Sequence, residues 1–170
     1  PLGEDEAFYS AFGWMALSGA DATKMPTPDT IWEIQGNNVL TPNAPVTLTW
    51  NNGQGLKFFH EVSVDNDFLF TVRQSVENTS GQEVTLRPYG LLRRHGEPSD
   101  VKNFFILHEG IIRMADGELA EDGYSDVADF DIDPREGTHA DRQDVAESGW
   151  IGFTDHYWMS VLAPEKGTGF

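Results

Sequence analysis

Three aspartates at alternate positions, Asp129, Asp131 and Asp133, make the sharpest candidate for chemistry in this sequence. Carboxylates at the first, third and fifth positions open a calcium-binding loop, where hard oxygen ligands converge on one cation. The pattern then breaks. The position that must turn on a glycine holds Pro134, and the one that supplies a bidentate carboxylate holds Ala140. An exposed strand accounts for the run better, with Phe130 and Ile132 inward and the three carboxylates in solvent.

Histidines next to acids are the second possibility: His60-Glu61, His108-Glu109 and Asp155-His156. Neighbours on a strand point to opposite faces, so those on strands cannot act as local metal or acid–base pairs, and only long-range partners are left to them. His139 and Asp141 share a face, but two ligands fall short of the three or four that a zinc site uses. No G-x-S-x-G elbow, phosphate-binding loop or H-E-x-x-H occurs. Cysteine is absent, which removes disulfides, thiolate metal sites and a cysteine nucleophile. Arg93-Arg94 is a lone basic pair in an acidic chain and reads as a local salt-bridge site. The sequence assigns no catalytic, metal-binding or cofactor-binding residue and calls for no cofactor.

The bulk composition narrows the partners. Eleven basic against 28 acidic residues give a formal net charge of −17. Such a field repels phosphate backbones and anionic lipid heads, so nucleic acid is excluded as a partner and so is an anionic bilayer surface. No run of about 18 apolar residues occurs, so no helix of the sequence spans a bilayer. At 170 residues the chain suits one domain, 1–170, with a sizeable core. Pro1-Leu2-Gly3 reads as a protease scar or native sequence at a cut edge, and the chain as an excised piece.

What must position any site is a set of strands. In "LKFFHEVSV" the residues Phe58, His60, Val62 and Val64 share one face, and Lys57, Phe59, Glu61 and Ser63 the other. After the turn cluster Asp65-Asn66-Asp67, "FLFTVRQSVEN" alternates again, with Phe68, Phe70, Val72 and Val76 together. Asn51-Asn52-Gly53 supplies the positive φ that a hairpin after "VTLTW" needs. Thr79-Ser80-Gly81 separates the next strand, "EVTLRPYGLL". Short runs continue with "NFFIL", "GIIRM", "ADFDI", "WIGF" and "WMSVLAP", preceded by "FYSAFGW" and "TIWEIQ". About a dozen strands at spacings of about 8–14 residues predict an all-β sandwich or barrel with little helix. At most Asp141 to Glu147 suits a helical turn or two. The stretch 115–147 carries 12 acids and two bases and reads as a solvated edge of loops around one strand.

The segment Ser148 to Pro164 stands apart from this acidic background, with Trp150, Phe153, Tyr157 and Trp158 close together. A sugar platform, a partner-binding patch and a buried hairpin would each use these residues. Packing favours the hairpin, with Trp150 and Trp158 filling a core and contributing several kcal/mol at about 25 cal/mol per Å².

Three blocks in order carry a family resemblance. "DNDFLFTVRQSVENTSGQEVTLRPYGLLRRHG" resembles the periplasmic domain of the YidC family of bacterial membrane-protein insertases. "NFFILHEGII" is similar to that family's short strand pair around a histidine-containing turn, and "SGWIGFTDHYWMSVLAP" to its Gly-Trp strand, turn and Trp strand. The blocks cover about Phe58 to Pro164, and residues 1–45 match loosely. The resemblance implies an antiparallel β-supersandwich of two large packed sheets, here a fragment without the membrane spans and terminal strands. It further implies a non-catalytic domain on the periplasmic side of the inner membrane, assisting insertion and folding through contact with the Sec machinery. SecDF and nascent inner-membrane proteins are the implied partners. Supersandwich folds also serve sugar mutarotases, which use a histidine and a carboxylate. His95, His108 and Glu109 are the residues available for that alternative, a carbohydrate-binding or mutarotase-like domain.

Overall fold

The computed structural model describes residues 7–96 and 107–170. Twelve antiparallel strands dominate it: β1 (Phe8–Ser18), β2 (Glu33–Gln35), β3 (Val46–Asn51), β4 (Leu56–Val64), β5 (Phe70–Asn78), β6 (Thr85–Arg94), β7 (Gly110–Ala115), β8 (Glu118–Gly123), β9 (Ile132–Asp133), β10 (Thr138–His139), β11 (Gly149–Asp155) and β12 (Trp158–Leu162). The only helical pieces among the described residues are 3₁₀ turns at Ala22–Lys24 and Tyr124–Asp129. The all-β class expected from the two-residue period therefore holds. The residues Asn103 to Ile106 of the "NFFIL" run lie outside the described residues.

The chain divides into two compact units, residues 12–90 and residues 1–11 with 91–170. β1 and β6 pair with each other, and each contributes to both units. In the 12–90 unit a four-stranded sheet runs β2-β3-β4-β5. Its core follows the alternation of β4. Leu56, Phe58 and His60 are buried on one face, and Phe58 has no exposure at all. Trp14 from β1 packs on Phe58 at 5.1 Å and on His60 at 4.7 Å between ring centroids, and Trp32 also meets His60 at 4.7 Å. Trp50, directly opposite Phe58 in the β3–β4 ladder, completes the cluster.

Polar side chains close the turns between these strands. Asn52 Oδ1 accepts from the N–H of Gln54 (2.8 Å) and of Leu56 (3.1 Å), with Gly53 and Gly55 at positive φ. Asp65 Oδ1 accepts from Asp67 (2.8 Å) and Leu69 (2.9 Å) in the next connection. This second turn is longer than the sequence pattern suggested. Phe68 adopts φ 63° and, with Leu69, belongs to the turn, so β5 starts at Phe70 and all three side chains are exposed. Alternation had extended the strand two residues too far, because the Asp65 cap holds the turn open through Leu69.

The second unit holds a four-stranded sheet ordered β12-β11-β7-β8. β11 is central, pairing Phe153 with Ile111 on one side and with Ser160 on the other. Gly152 permits the close β11–β12 approach, since a Cβ there would lie 2.2 Å from the Ser160 carbonyl oxygen. The suggested helical turn at 141–147 is not formed. That segment is irregular and anchored by Val145, which is buried and exchanges two backbone hydrogen bonds with Phe170 (2.8 and 2.9 Å).

Candidate interaction site at the β11–β12 turn

The core reading of the aromatic hairpin needs correction at its tip. β11 and β12 are joined by His156-Tyr157 alone, with Tyr157 at φ 70°. Tyr157 is 86% exposed and Trp158 79%, and Met159 is half exposed. Trp150, at the other end of β11, is half-buried. Tyr157 takes the positive-φ corner of the turn and Trp158 the first position of β12, and both rings lie in solvent while His156 turns inward.

Beneath this apolar tip the residues are fixed. His156 Nδ1 is hydrogen-bonded to a Glu109 carboxylate oxygen, and both side chains are shielded from solvent, 12% and 6% exposed. Asp155 lies one position away on the opposite face and pairs with the Arg94 guanidinium. Tyr124 Oη sits 3.0 Å from Asp155 Oδ1 and 3.1 Å from the Thr154 carbonyl oxygen, able to donate to either. Burial, and then the adjacent Asp155 carboxylate, push the Tyr124 phenol well above its usual range, with Arg94 opposing in part. The Arg94 guanidinium also lies over the Tyr124 ring (5.3 Å) and the Phe8 ring (5.9 Å), while Phe8 meets Phe153 edge-on. Asp155, Arg94, Tyr124 and Phe8 each engage at least two neighbours, and with the Glu109–His156 pair they hold the turn from both faces of β11.

The approach to β11 is fixed in the same manner. Asp116, at the β7–β8 turn, accepts hydrogen bonds from the N–H groups of Ala146, Glu147 and Ser148 (2.8, 2.8 and 3.0 Å). Those three donors, that of Ala146 first, hold its carboxyl below the usual carboxylate range. A docking surface needs this rigidity, since rigid aromatics bring contact area at small entropic cost.

The other sequence candidates disperse. Asp129 ends a 3₁₀ turn, and the expected strand shrinks to Ile132–Asp133. Ile132 faces solvent, the reverse of its expected place, because Asp133 turns inward to cap the next turn. Its Oδ1 accepts from the N–H of Arg135 (2.7 Å) and of Glu136 (3.2 Å), and Arg135's bond is the main reason its carboxyl is depressed. His139 Nδ1 bonds to the Phe130 carbonyl, whereas Asp141 is paired with Arg113, so the two do not share a ligand. Among the described residues no three His, Asp or Glu side chains converge as metal ligands would. Of the sugar-chemistry candidates, His108 Nε2 donates to the Ile111 carbonyl oxygen (3.0 Å) and Glu109 is engaged by His156. His95 lies obliquely near Tyr9, with Nε2 buried and without a hydrogen-bond partner among the described residues.

The Glu109–His156 pair is what residue-by-residue reading missed. Its members are 47 positions apart, and each was seen only beside its own sequence neighbour. A buried acid needs a partner. The available signal was therefore two His–acid dipeptides in one apolar neighbourhood, without a register to join them.

Comparison with known proteins bears on the whole chain. A family model described as the YidC periplasmic domain matches residues 2–170. The chain is 52% identical over 170 residues to a protein named membrane protein insertase YidC from Ruegeria sp. (strain TM1040), covering all of this chain and 28% of that relative. Proteins of the same name from Roseobacter denitrificans and Jannaschia sp. are each 51% identical, over 97% and 100% of this chain and 27% of their own length. The chain thus spans less than a third of the relatives it matches. No solved structure matches it. Among the described residues no helix is long and apolar enough to cross a membrane.

Proposed function

Since the chain belongs to the YidC periplasmic domain family, we propose that it is a non-catalytic periplasmic domain that assists a membrane protein insertase through protein contacts. It folds as one domain, 1–170, a reading supported by the single family model and by two strands that contribute to both compact units. The whole protein resides in the inner membrane, and this domain works on its periplasmic side. Components of the Sec machinery, SecDF in particular, and nascent inner-membrane proteins are its partners.

One observation carries the protein-contact reading. The Tyr157-Trp158-Met159 tip is exposed, apolar and mounted on a buried acid–imidazole pair. Aromatic anchors in a rigid frame are the residues that dominate protein interfaces. A photo-crosslinking residue at position 158 of the whole protein, in native membranes, tests this. Adducts with SecD or SecF are expected. Their absence at 158, with adducts formed elsewhere on the domain, would overturn the assignment of the tip.

A further inference from the structure

Strands β5 and β6 follow one another in the chain but do not pair. Among the described residues β5 bonds only to β4, and β6 only to β1. The backbone pattern shows which groups this leaves open. Thr79 N–H donates to Gly55 O (2.7 Å) and Asp65 N–H to Leu69 O (3.0 Å), so the β4–β5 ladder is bracketed by bonds at odd-numbered residues of β5. The N–H and C=O groups of Phe70, Val72, Gln74, Val76 and Asn78 therefore point away from β4. Among the described residues no backbone hydrogen bond reaches them.

The same parity holds on the other strand. His95 N–H donates to Ala7 O (2.9 Å), and Gly13 and Gly19 lie against Tyr89 and Glu83, an antiparallel register that turns odd residues of β6 toward β1. Leu86 and Pro88 thus face outward, and Pro88 occupies a position where its missing N–H costs no ladder bond. These outward residues, Gln74, Val76 and Asn78 with Val84, Leu86 and Pro88, are the walls of a cavity of about 370 Å³ that also exposes the edge of Trp14. Gln74 Nε2 ties one wall to the Gly13 carbonyl (2.8 Å). Val84 also lines a second cavity of about 360 Å³, beyond the Asn78 end, with Asp21, Asn52, Gln54, Ser80 and Gln82. That cavity is rich in acceptors and carries one carboxylate, which hydrogen bonds from Thr23 hold ionised.

We propose that the open edge of β5 accepts an extended segment of a partner protein as an added antiparallel strand. Five residues of unpaired backbone specify a strand, and a two-residue period drops alternate apolar side chains onto Val76, Leu86 and Trp14. Antiparallel addition places the N-terminus of the segment at the Asn78 end. A lysine or arginine there meets Asp21, a charge match in keeping with the net charge of −17. The partner strand is apolar at alternate positions and basic at its start.

The probe is the peptide Lys-Lys-Thr-Val-Thr-Val-Thr-Val-Thr, added to the chain and followed by amide hydrogen exchange. Saturating peptide is expected to slow exchange at Gln74 and Val76 by about ten-fold or more. Ser75 and Glu77, already bonded to β4, should stay unchanged. Methylation of the valine nitrogens removes the donors and should weaken binding by about ten-fold or more, and Asp21→Asn should weaken it only for the lysine-bearing peptide. Equal binding of the methylated peptide, or protection confined to the Tyr157–Met159 turn, would overturn the proposal. So would concentration-dependent protection of Gln74 and Val76 without peptide, which would make a second copy of the chain the occupant.

Discussion

His60 and His156 each stand among aromatic rings at a strand's end or middle, yet their surroundings are opposite. His60 is enclosed by Trp14 and Trp32 at 4.7 Å each, with Nδ1 unpartnered among the described residues. His156 gives Nδ1 to the Glu109 carboxylate and leaves Tyr157 and Trp158 in solvent. In the first region the rings themselves are the core. In the second, a polar pair is buried so that the rings can be presented. Residue type does not separate the two, but what covers the strand face does: Trp14 of β1 and Trp32 pack against His60, whereas the β11–β12 turn projects past the last residue that β11 pairs with β7.

Removing the centre of the aromatic core should break this contrast most. Phe58→Ala is expected to cost about 3–5 kcal/mol in denaturant unfolding, as for a fully buried large ring. Next comes the acid–imidazole pair. Glu109→Gln should cost about 1–3 kcal/mol, within the range for a charge-assisted bond lost from a buried site. A double-mutant cycle with His156→Gln should return most of that cost as coupling.

The third expectation concerns pH. Burial lowers the His60 pKa below its ordinary value of 6.5, since the charged imidazolium is poorly solvated among the rings. In the window between the lowered folded value and the unfolded value, the unfolded chain binds the extra proton. Stability is thus complete above about pH 6.5 and falls as pH drops below it, by at most about 1.4 kcal/mol per pH unit. Urea midpoints of wild type and His60→Phe from pH 7.5 to 5 should diverge in that direction. Parallel profiles would show that His60 is not the group responsible.

Trp158→Ala should have the smallest effect on folding, within about 0.5 kcal/mol of wild type. A core tryptophan would cost several times more, so unfolding curves of Trp158→Ala and Phe58→Ala measured together decide whether the two regions differ as described.

Much of the scaffold was legible from local pattern. The alternation of Leu56 to Val64 marked the buried face of β4, and Asp65, Asn52 and Asn78 marked turns that their side chains cap. These features depend on residues within a few positions of one another, where period and turn chemistry act directly. At Phe68 and Ile132 a nearby aspartate cap overrode the alternation, whereas Trp158 kept its place in a strand but on an exposed face. Alternation tells which residues lie together on a face, but not whether anything covers that face.

The amino-acid order alone therefore determined the strand-rich architecture, the position of most turns, the acidic surface and the absence of thiol chemistry. Tertiary structure decided which faces were covered, because covering strands come from distant parts of the chain. It joined Glu109 to His156 across 47 positions, set β5 and β6 apart although they are consecutive, and left five outward backbone positions on β5 unpaired among the described residues. Those outcomes depend on registers between strands, and a register is fixed by the packing of all strands together.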